Sequence, residues 1–263
     1  MKISGSTVLL TGATGGIGQA IAKAVTDRGA SLIVTGRRGD KLEQLAADYG
    51  ARVLVVDLAV PEEVERLAQE AGEVDILIAN AGLPASGTLE SFTVGEIDRA
   101  LDVNLRAPMV LAKELAPRMV ARGRGHLLFV SSLLAKAASP NASVYCATKF
   151  GLRGFAAGLR ADLHGSGVGV SVVFPGLIRD AGMVADAKVE LPPGVGTSSP
   201  DDVARGVVAA IERNRGEVNV APLSMKVLSV VAGLAPEFAA GITRRVGADK
   251  VSAKLADGQR DKR

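Results

Sequence analysis

The 263-residue chain is poor in the side chains on which many catalytic sites depend. One cysteine excludes an internal disulfide and a cysteine-cluster metal site, and two histidines argue against a multi-histidine centre, so we expect no metal. Tryptophan is absent, and Tyr49 and Tyr145 are the only tyrosines. Any chemistry must therefore come from hydroxyls, amides, lysines or a bound cofactor.

The charge excess is small, with 31 Lys and Arg against 28 Asp and Glu, and it is confined to the end of the chain. Residues 225–263 hold eight basic and four acidic side chains, which leaves 23 and 24 in the preceding part. Because that part is nearly neutral, no nucleic-acid partner is expected. Apolar residues at near-helical spacing in the basic segment predict an amphipathic helix lying on the body or on a second subunit, with an anionic membrane surface as the alternative.

Apolar runs are too short for a signal core or a membrane-spanning helix. The longest late run, 227–235, is about half the length that a span requires. The sequence therefore predicts a soluble, cytoplasmic protein.

Short apolar runs alternate with segments of helical periodicity. The predicted strands are 6–11, 31–35, 52–57, 75–79, 126–131, 169–174 and 217–221. Most are continuous aliphatic or β-branched runs, which is typical of parallel strands covered on both faces. The predicted helices are 18–28, 40–49, 61–71, 94–121, 142–164 and 200–213, the last capped by Ser199. This pattern predicts an α/β fold, a single-domain doubly wound parallel sheet over residues 1–222, followed by a basic helical extension at 223–263.

The first predicted strand runs into a glycine-rich turn, TGATGGIG at 11–18. Its glycines allow a tight turn and close approach of the backbone to a pyrophosphate at the N-terminus of the next helix. The missing lysine argues against a nucleoside triphosphate loop. The predicted dinucleotide contacts in this turn are Gly12, Thr14, Gly15, Gly16, Ile17 and Gly18.

Two arginines follow the second predicted strand, where an acid would bind the ribose hydroxyls of NAD. No acid occupies positions 34–38, so Arg37 and Arg38 favour the 2′-phosphate of NADP, with NAD as the alternative. Asp57 and Leu58 follow the third strand, where adenine would lie, although Asp57 is equally suited to cap a helix.

Tyr145 and Lys149 are four residues apart in a predicted helix and so share one face. An ammonium close to a phenol favours the phenolate and lowers the pKa of the phenol from about 10. Such a pair can exchange a proton with a carbonyl or hydroxyl. Ser132, at the carboxyl end of a buried strand, points a hydroxyl toward the same crevice.

In order and spacing these motifs resemble those of the short-chain dehydrogenases/reductases. The match comprises the glycine turn, Asn80-Ala81-Gly82, Asn104, Ser132, Tyr145 with Lys149, and Pro175-Gly176, and it covers residues 5–222. The resemblance implies an NAD(P)-binding Rossmann fold and a homo-oligomer, dimer or tetramer, built through long helices.

The resemblance also implies a role for each residue of the site. Tyr145 would be the general acid in carbonyl reduction, Ser132 would bind the substrate oxygen, and Lys149 would hold the nicotinamide ribose and lower the pKa of Tyr145. Asn104 would anchor a proton-relaying water, and Asn80 would brace the cofactor pocket. Further implied cofactor contacts are Asn80, Ala81, Gly82, Tyr145, Lys149, Pro175, Gly176 and Ile178, the last through its backbone.

One position departs from the family pattern. A hydroxyl residue usually stands four positions after the glycine of Pro175-Gly176, and here that residue is Asp180. A carboxylate there could accept from the carboxamide, and Arg179 is placed to pair with it.

The sequence therefore predicts an NADP-preferring oxidoreductase that interconverts a carbonyl and a secondary alcohol. The expected pocket wall is apolar, which favours a hydrophobic or lipid-like substrate; it comprises Leu133, Leu134, Leu177, Met183 and Val184. The alternatives are a non-catalytic NADP-sensing regulator and a sugar-nucleotide epimerase or dehydratase. An intact proton relay disfavours the sensor, and the short segment after residue 222 disfavours the epimerase.

Overall fold

A computed structural model describes residues 1–182, 196–238, 241 and 248–259. Its centre is a seven-stranded parallel sheet in the order β3-β2-β1-β4-β5-β6-β7. The strands are β1 Thr7–Thr11, β2 Ser31–Gly36, β3 Arg52–Val55, β4 Ile76–Ala79, β5 Gly125–Val130, β6 Val168–Pro175 and β7 Glu217–Val220. The predicted doubly wound α/β fold is confirmed.

Helices cover both faces of the sheet because the central strands are apolar on both sides. In β1, Leu9 packs on one face, while Val8 and Leu10 pack on the other, and all three are buried. The helices are α1 Gly16–Thr26, α2 Gly39–Tyr49, α3 Pro61–Glu70, α4 Val94–Leu101, α5 Ala107–Ala121, α6 Ser143–Asp162, α7 Pro200–Glu212, α8 Leu223–Leu234 and α9 Ala248–Asp257. Apolar residues of α1, α2 and α7 pack on one face, and those of α3, α5 and α6 on the other.

The start of α7 follows the sequence-based expectation. The Ser199 hydroxyl accepts a hydrogen bond from the Asp202 backbone N–H at 3.1 Å, and the Asp202 carboxylate accepts from the Ser199 backbone N–H at 2.8 Å. This reciprocal pair is a capping box, and Pro200 occupies a position in the first turn where its missing N–H costs nothing.

The helix predicted over 94–121 is interrupted in the structure. A π-helical segment, Asp102–Arg106, separates α4 from α5 and places Asn104 in its middle. Segments of this kind are rare and concentrate at functional sites. Apolar periodicity does not reveal one extra residue in a turn, so the interruption could not be predicted from it.

The C-terminal region contains helical structure, α8 and α9, and the apolar pattern predicted there comprises Leu228, Val231, Leu234, Phe238, Ile242 and Val246. Leu228 and Val231 are half-buried, whereas Leu234 and Phe238 are exposed, and the residues that α8 buries are the small Ser229 and Ala232. Ile242 and Val246 lie outside the described residues. No helix in the described part of the chain is long and apolar enough to cross a membrane.

Candidate active site

The candidate site lies at the carboxyl ends of the strands, beside the point where the strand order reverses. β1 pairs with β2 on one side and with β4 on the other, so the connections leave in opposite directions and open a crevice between them. Ligands of doubly wound sheets bind in such a crevice. The turns after β1, β4, β5 and β6 carry the motifs singled out from the sequence.

The glycine turn after β1 requires glycine on steric grounds. Gly12 has φ +65°, and a Cβ there would lie 2.7 Å from the Cα of Ala81. A Cβ at Gly18 would collide with the carbonyl oxygen of Gly12. Gly15 is the N-cap residue of α1 and has no side chain to accept the first-turn N–H groups, while Gly16 and Ile17 begin the helix. The turn therefore fits a pyrophosphate, which those N–H groups can bind.

Asn80 ties the glycine turn to β4. Its amide nitrogen donates to the carbonyl oxygens of Thr11 at 3.2 Å and Gly12 at 3.1 Å. The Thr11 hydroxyl accepts in return from the backbone N–H groups of Asn80 at 3.1 Å and Ala81 at 3.0 Å. Gly82 follows and lies close to Lys149: a Cβ at this position would be 3.5 Å from the Nζ of Lys149. The bracing function expected of Asn80 has this geometric basis.

The arginines after β2 lie beside the glycine turn and differ in their contacts. The Arg38 guanidinium donates to the Thr14 hydroxyl at 2.8 Å. Arg37 is exposed, and its charge contributes to lowering the pKa of Asp57. The structure thus brings Arg38 and Thr14 together at the rim of the crevice, beside the turn that would hold the cofactor phosphates.

Asp57 is held by a residue that the sequence did not suggest. Its carboxylate accepts from the Ala59 backbone N–H at 3.0 Å and from Arg99 of α4 at 3.1 Å. Burial opposes ionisation, yet these hydrogen bonds keep the pKa of Asp57 below its usual value. The N-cap residue of α3 is Val60, so the helix-capping alternative for Asp57 is wrong. Leu58 beside it is buried in the core.

Ser132 and Tyr145 meet at the carboxyl end of β5. The Ser132 hydroxyl accepts from the Leu134 backbone N–H at 3.2 Å, which caps a 3-10 turn at Leu133–Ala135, and its side chain also hydrogen-bonds Tyr145 in the first turn of α6. Burial raises the pKa of the Tyr145 phenol above its usual value, and the Ser132 hydrogen bond offsets only part of the rise. The phenol is therefore protonated at neutral pH and able to donate.

Lys149 lies one turn further along α6 and is buried. Its Nζ is 5.5 Å from the centroid of the Tyr145 ring and 3.4 Å from the carbonyl oxygen of Val130. Burial lowers the pKa of Lys149 to about 8. The sequence-based expectation that Lys149 lowers the pKa of Tyr145 is not met here, because the ammonium lies over the ring and burial of the phenol dominates.

Asn104 joins the π-helical segment to the turn after β4. Its side-chain oxygen accepts from the Leu83 backbone N–H at 2.7 Å, and its amide nitrogen donates to the Leu83 carbonyl oxygen at 3.0 Å and the Thr148 hydroxyl at 3.5 Å. The buried Asn104 side chain therefore links the turn at Leu83 to α6. Gly82 lies between Asn104 and Lys149, since a Cβ at that glycine would be 3.3 Å from Asn104 Oδ1 and 3.5 Å from Lys149 Nζ.

The turn after β6 passes Pro175 and Gly176 and then forms one further β-bridge. Ile178 pairs with Ser198, which binds the Leu177 carbonyl oxygen and the Arg179 N–H. In a parallel bridge of this kind, the backbone N–H and C=O of Ile178 point away from Ser198. Asp180 is exposed, has φ +65° and lies 3.5 Å from Arg179, as the sequence suggested.

An apolar cluster surrounds Tyr145, and sequence reasoning missed most of it. Leu134 belongs to both the expected wall and this cluster, and Leu133 is buried nearby against Gly176. Met183 and Val184 lie outside the described residues. The members that the sequence did not suggest are Ala85, Phe92, Ile97, Ala100, Ala142, Val144 and Cys146. No local motif marks them, because three separate segments supply them.

Over the residues that the structure describes, no group of three or more His, Cys, Asp or Glu side chains is arranged to hold a metal ion.

Comparison with known proteins gives a consistent result. The family profile described as short chain dehydrogenase matches residues 6–191. "Ketoacyl reductase HetN" of Nostoc sp. is 34% identical over 98% of this chain and 94% of its own length. The 3-oxoacyl-[acyl-carrier-protein] reductase FabG of Rickettsia conorii is 32% identical over 68% of this chain and 75% of its own length.

The solved structures similar to this chain include a short-chain dehydrogenase from Sphingobium yanoikuyae in complex with NADPH. It has a TM-score of 0.75 and 29% identity, and the match covers 92% of this chain and 96% of that one. The family profile, the relatives and the sheet topology agree, and they identify a nicotinamide cofactor and a small-molecule substrate. The chain therefore belongs to the short-chain dehydrogenase/reductase family and is an NAD(P)-dependent oxidoreductase.

Proposed function

We propose that this protein reduces a carbonyl to a secondary alcohol, or catalyses the reverse reaction, with Tyr145 as general acid and base. One observation carries the proposal: a buried, protonated Tyr145 phenol hydrogen-bonds Ser132 and lies over Lys149. A bound nicotinamide supplies the hydride. Tyr145 O–H donates its proton to the substrate oxygen during reduction and recovers one from the hydroxyl during oxidation.

The neighbouring residues have supporting roles. Ser132 binds the same substrate oxygen and fixes its position relative to Tyr145. Lys149, charged at neutral pH because its pKa is about 8, binds the ribose hydroxyls of the nicotinamide. Asn104 holds the turn at Leu83 beside Lys149, which keeps the path for proton exchange in place.

The cofactor is bound by the residues predicted from the sequence. The glycine turn would hold its pyrophosphate, and Asp57 and Leu58 would line the adenine site. Arg38 favours NADP over NAD, because its guanidinium lies next to Thr14 at the rim of the crevice, where it can bind a 2′-phosphate. The remaining contacts toward nicotinamide are Asn80, Ala81, Gly82, Tyr145, Lys149, Pro175, Gly176 and Ile178.

The substrate is hydrophobic, and a 3-oxoacyl thioester is the first candidate. Two relatives are named as ketoacyl or 3-oxoacyl reductases, and apolar side chains, among them Leu134, Phe92 and Val144, surround Tyr145.

Residues 1–222 form the catalytic domain and 223–263 an extension, and the protein works as a homo-oligomer.

A Tyr145→Phe variant tests this function. We expect turnover to fall by roughly 100- to 10,000-fold, the usual contribution of a positioned general acid, while NADPH binding persists. The assay follows NADPH oxidation with acetoacetyl-CoA and with aliphatic and steroid-like ketones.

The matched control is Tyr49→Phe, since Tyr49 is the other tyrosine and lies at the end of α2. Full turnover by Tyr145→Phe would refute the mechanism. Tight NADPH binding without turnover of any ketone by the unaltered protein would instead support the NADP-sensing alternative.

A further inference from the structure

An ion-pair network next to the Ser132 turn joins the nearly buried Lys136 to the half-exposed Glu217 and Arg153. Lys136 Nζ is 2.6 Å from the carboxylate of Glu217 and 2.9 Å from the side-chain oxygen of Asn219. The same Nζ is 4.1 Å from the centre of the Phe174 ring. Arg153 donates to the other oxygen of Glu217 at 2.7 Å. Nothing in the proposed reaction uses these side chains.

The network connects the three elements that frame the site. Lys136 ends the turn that begins at Ser132, Arg153 lies on α6 one helical turn after Lys149, and Glu217 begins β7. The Ser132 turn and the helix that carries Tyr145 are thus both attached to one carboxylate.

Hydrogen bonds within the turn couple the position of Lys136 to that of Ser132. The Ala135 N–H donates to the Ser132 carbonyl oxygen at 2.9 Å, and the Lys136 N–H donates to that of Leu133 at 2.9 Å. The Ser132 hydroxyl accepts from Leu134 within the same turn. A shift of Lys136 therefore moves the backbone that presents Ser132.

The low exposure of Lys136 distinguishes its ion pair with Glu217 from ion pairs on the protein surface. The Lys136 side chain is only 10% exposed, so its ammonium requires a partner, and the cluster supplies a carboxylate, an amide oxygen and an aromatic face. Burial opposes ionisation of Glu217, yet hydrogen bonds from Arg153 and Lys136 hold its pKa below the usual value. Exposed pairs such as Lys23–Asp27, also 2.6 Å long, lack this constraint.

We propose that Lys136 is a positioning residue: its ion pair with Glu217 fixes the turn that presents the Ser132 hydroxyl to Tyr145. This inference rests on the proposed function, in which Ser132 and Tyr145 act on one substrate oxygen. Lys136 acts through Ser132 and does not touch the substrate.

A double-mutant cycle in NADPH-dependent reduction of acetoacetyl-CoA tests the coupling. Lys136→Met is expected to lower kcat/KM by roughly 10- to 100-fold, mostly through kcat, because the catalytic hydroxyl is displaced. In a Ser132→Ala background the same substitution is expected to change kcat/KM less than twofold. Lys136→Arg is expected to restore most of the activity, and Glu217→Gln to resemble Lys136→Met. The control Lys23→Met is expected to match the unaltered protein.

A second measurement does not depend on turnover. In a Tyr49→Phe background Tyr145 is the only tyrosine, and the chain has no tryptophan, so the tyrosine band in near-ultraviolet circular dichroism reports Tyr145. We expect Lys136→Met to change this band in the same way as Ser132→Ala, and Lys23→Met to leave it unchanged.

Two results would overturn the inference: losses from Lys136→Met and Ser132→Ala that multiply in the double variant, or a Tyr145 band insensitive to Lys136→Met. Failure of the proposed function has a different signature, since Tyr145→Phe would then keep its turnover. If acetoacetyl-CoA is not reduced, the circular dichroism comparison still decides whether Lys136 controls the environment of Tyr145.

Discussion

At the scale of single residues, Arg38 offers the sharpest test of coenzyme choice. Its guanidinium already lies 2.8 Å from the Thr14 hydroxyl at the edge of the glycine turn. A charge-assisted hydrogen bond to a 2′-phosphate contributes about 1.5–3 kcal/mol, which corresponds to roughly 10- to 100-fold in affinity. We therefore expect Arg38→Ala to weaken NADPH binding by that factor and to change NADH binding little, as measured by calorimetric titration.

Arg37→Ala is the matched control for this experiment. Arg37 carries the same charge one position earlier, but its effect in the structure is on the pKa of Asp57. We expect a smaller loss of NADPH affinity from this variant. Equal losses of NADPH and NADH affinity in Arg38→Ala would contradict selection by the 2′-phosphate.

The Tyr145 phenol shows where prediction from sequence ends at this scale. The four-residue spacing correctly places Tyr145 and Lys149 on one helix and close together. The pKa of the phenol, however, depends on burial by residues from distant segments, such as Ala85 and Ala100. Spacing along a helix contains no information about that burial, so the expected lowering of the pKa was wrong in direction for this structure.

At the scale of secondary-structure elements, apolar runs and periodicity were sufficient for most of the fold. Parallel strands buried on both faces leave continuous runs such as HLLFVS at 126–131, and the observed β5 differs from that run by one residue at each end. The π-helical segment was missed because one extra residue in a helical turn leaves no mark in the apolar periodicity. Its Asn104 amide pairs with the Leu83 backbone, a contact between segments that are distant in sequence. The Arg99–Asp57 ion pair also joins segments that are distant in sequence, so no local pattern indicates it.

The pairing of β5 with β6 contains a titratable group that should make stability depend on pH. His126 Nε2 lies 2.8 Å from the Ser171 hydroxyl, which donates at 2.6 Å to the Arg215 carbonyl oxygen. Burial, helped by positive charge from the N-terminus and Arg160, lowers the pKa of His126 to about 3. In the unfolded chain this pKa is 6.5, so below that pH the unfolded state binds the extra proton.

The neutral His126 therefore contributes stability that is complete above pH 6.5 and is lost as the pH falls toward 3. We expect His126→Gln to remove about 2 kcal/mol of the decrease in unfolding free energy between pH 7.5 and 5, measured by urea denaturation. His164→Gln is the control, because His164 is exposed beyond the end of α6. An unchanged pH dependence in His126→Gln would contradict this assignment.

At the scale of the whole molecule, two exposed apolar surfaces are candidates for the interface of the proposed homo-oligomer. One is a groove between α5 and α6 with a volume of about 340 Å³, lined by Met109, Ala112, Lys113, Ala116, Pro117, Val120, Phe155, Leu159 and Leu163. The other is the outward face of α8, where Leu223, Val227 and Leu234 are exposed. The groove is concave and formed by two long helices, so a second copy can bury its own ridge there.

If the groove is the interface of the proposed homo-oligomer, charge placed in it should separate the subunits. We expect Met109→Glu combined with Val120→Glu to convert the protein to a monomer in sedimentation velocity, because a carboxylate buried between apolar helices is costly without a partner. Val60→Glu is the control, since Val60 is 37% exposed and Met109 is 38% exposed. Dissociation by Val227→Glu but not by the groove variant would assign the interface to α8 instead. Because Tyr145 and Lys149 lie on α6, a groove interface would also brace the catalytic helix, and monomerisation should then lower kcat as well.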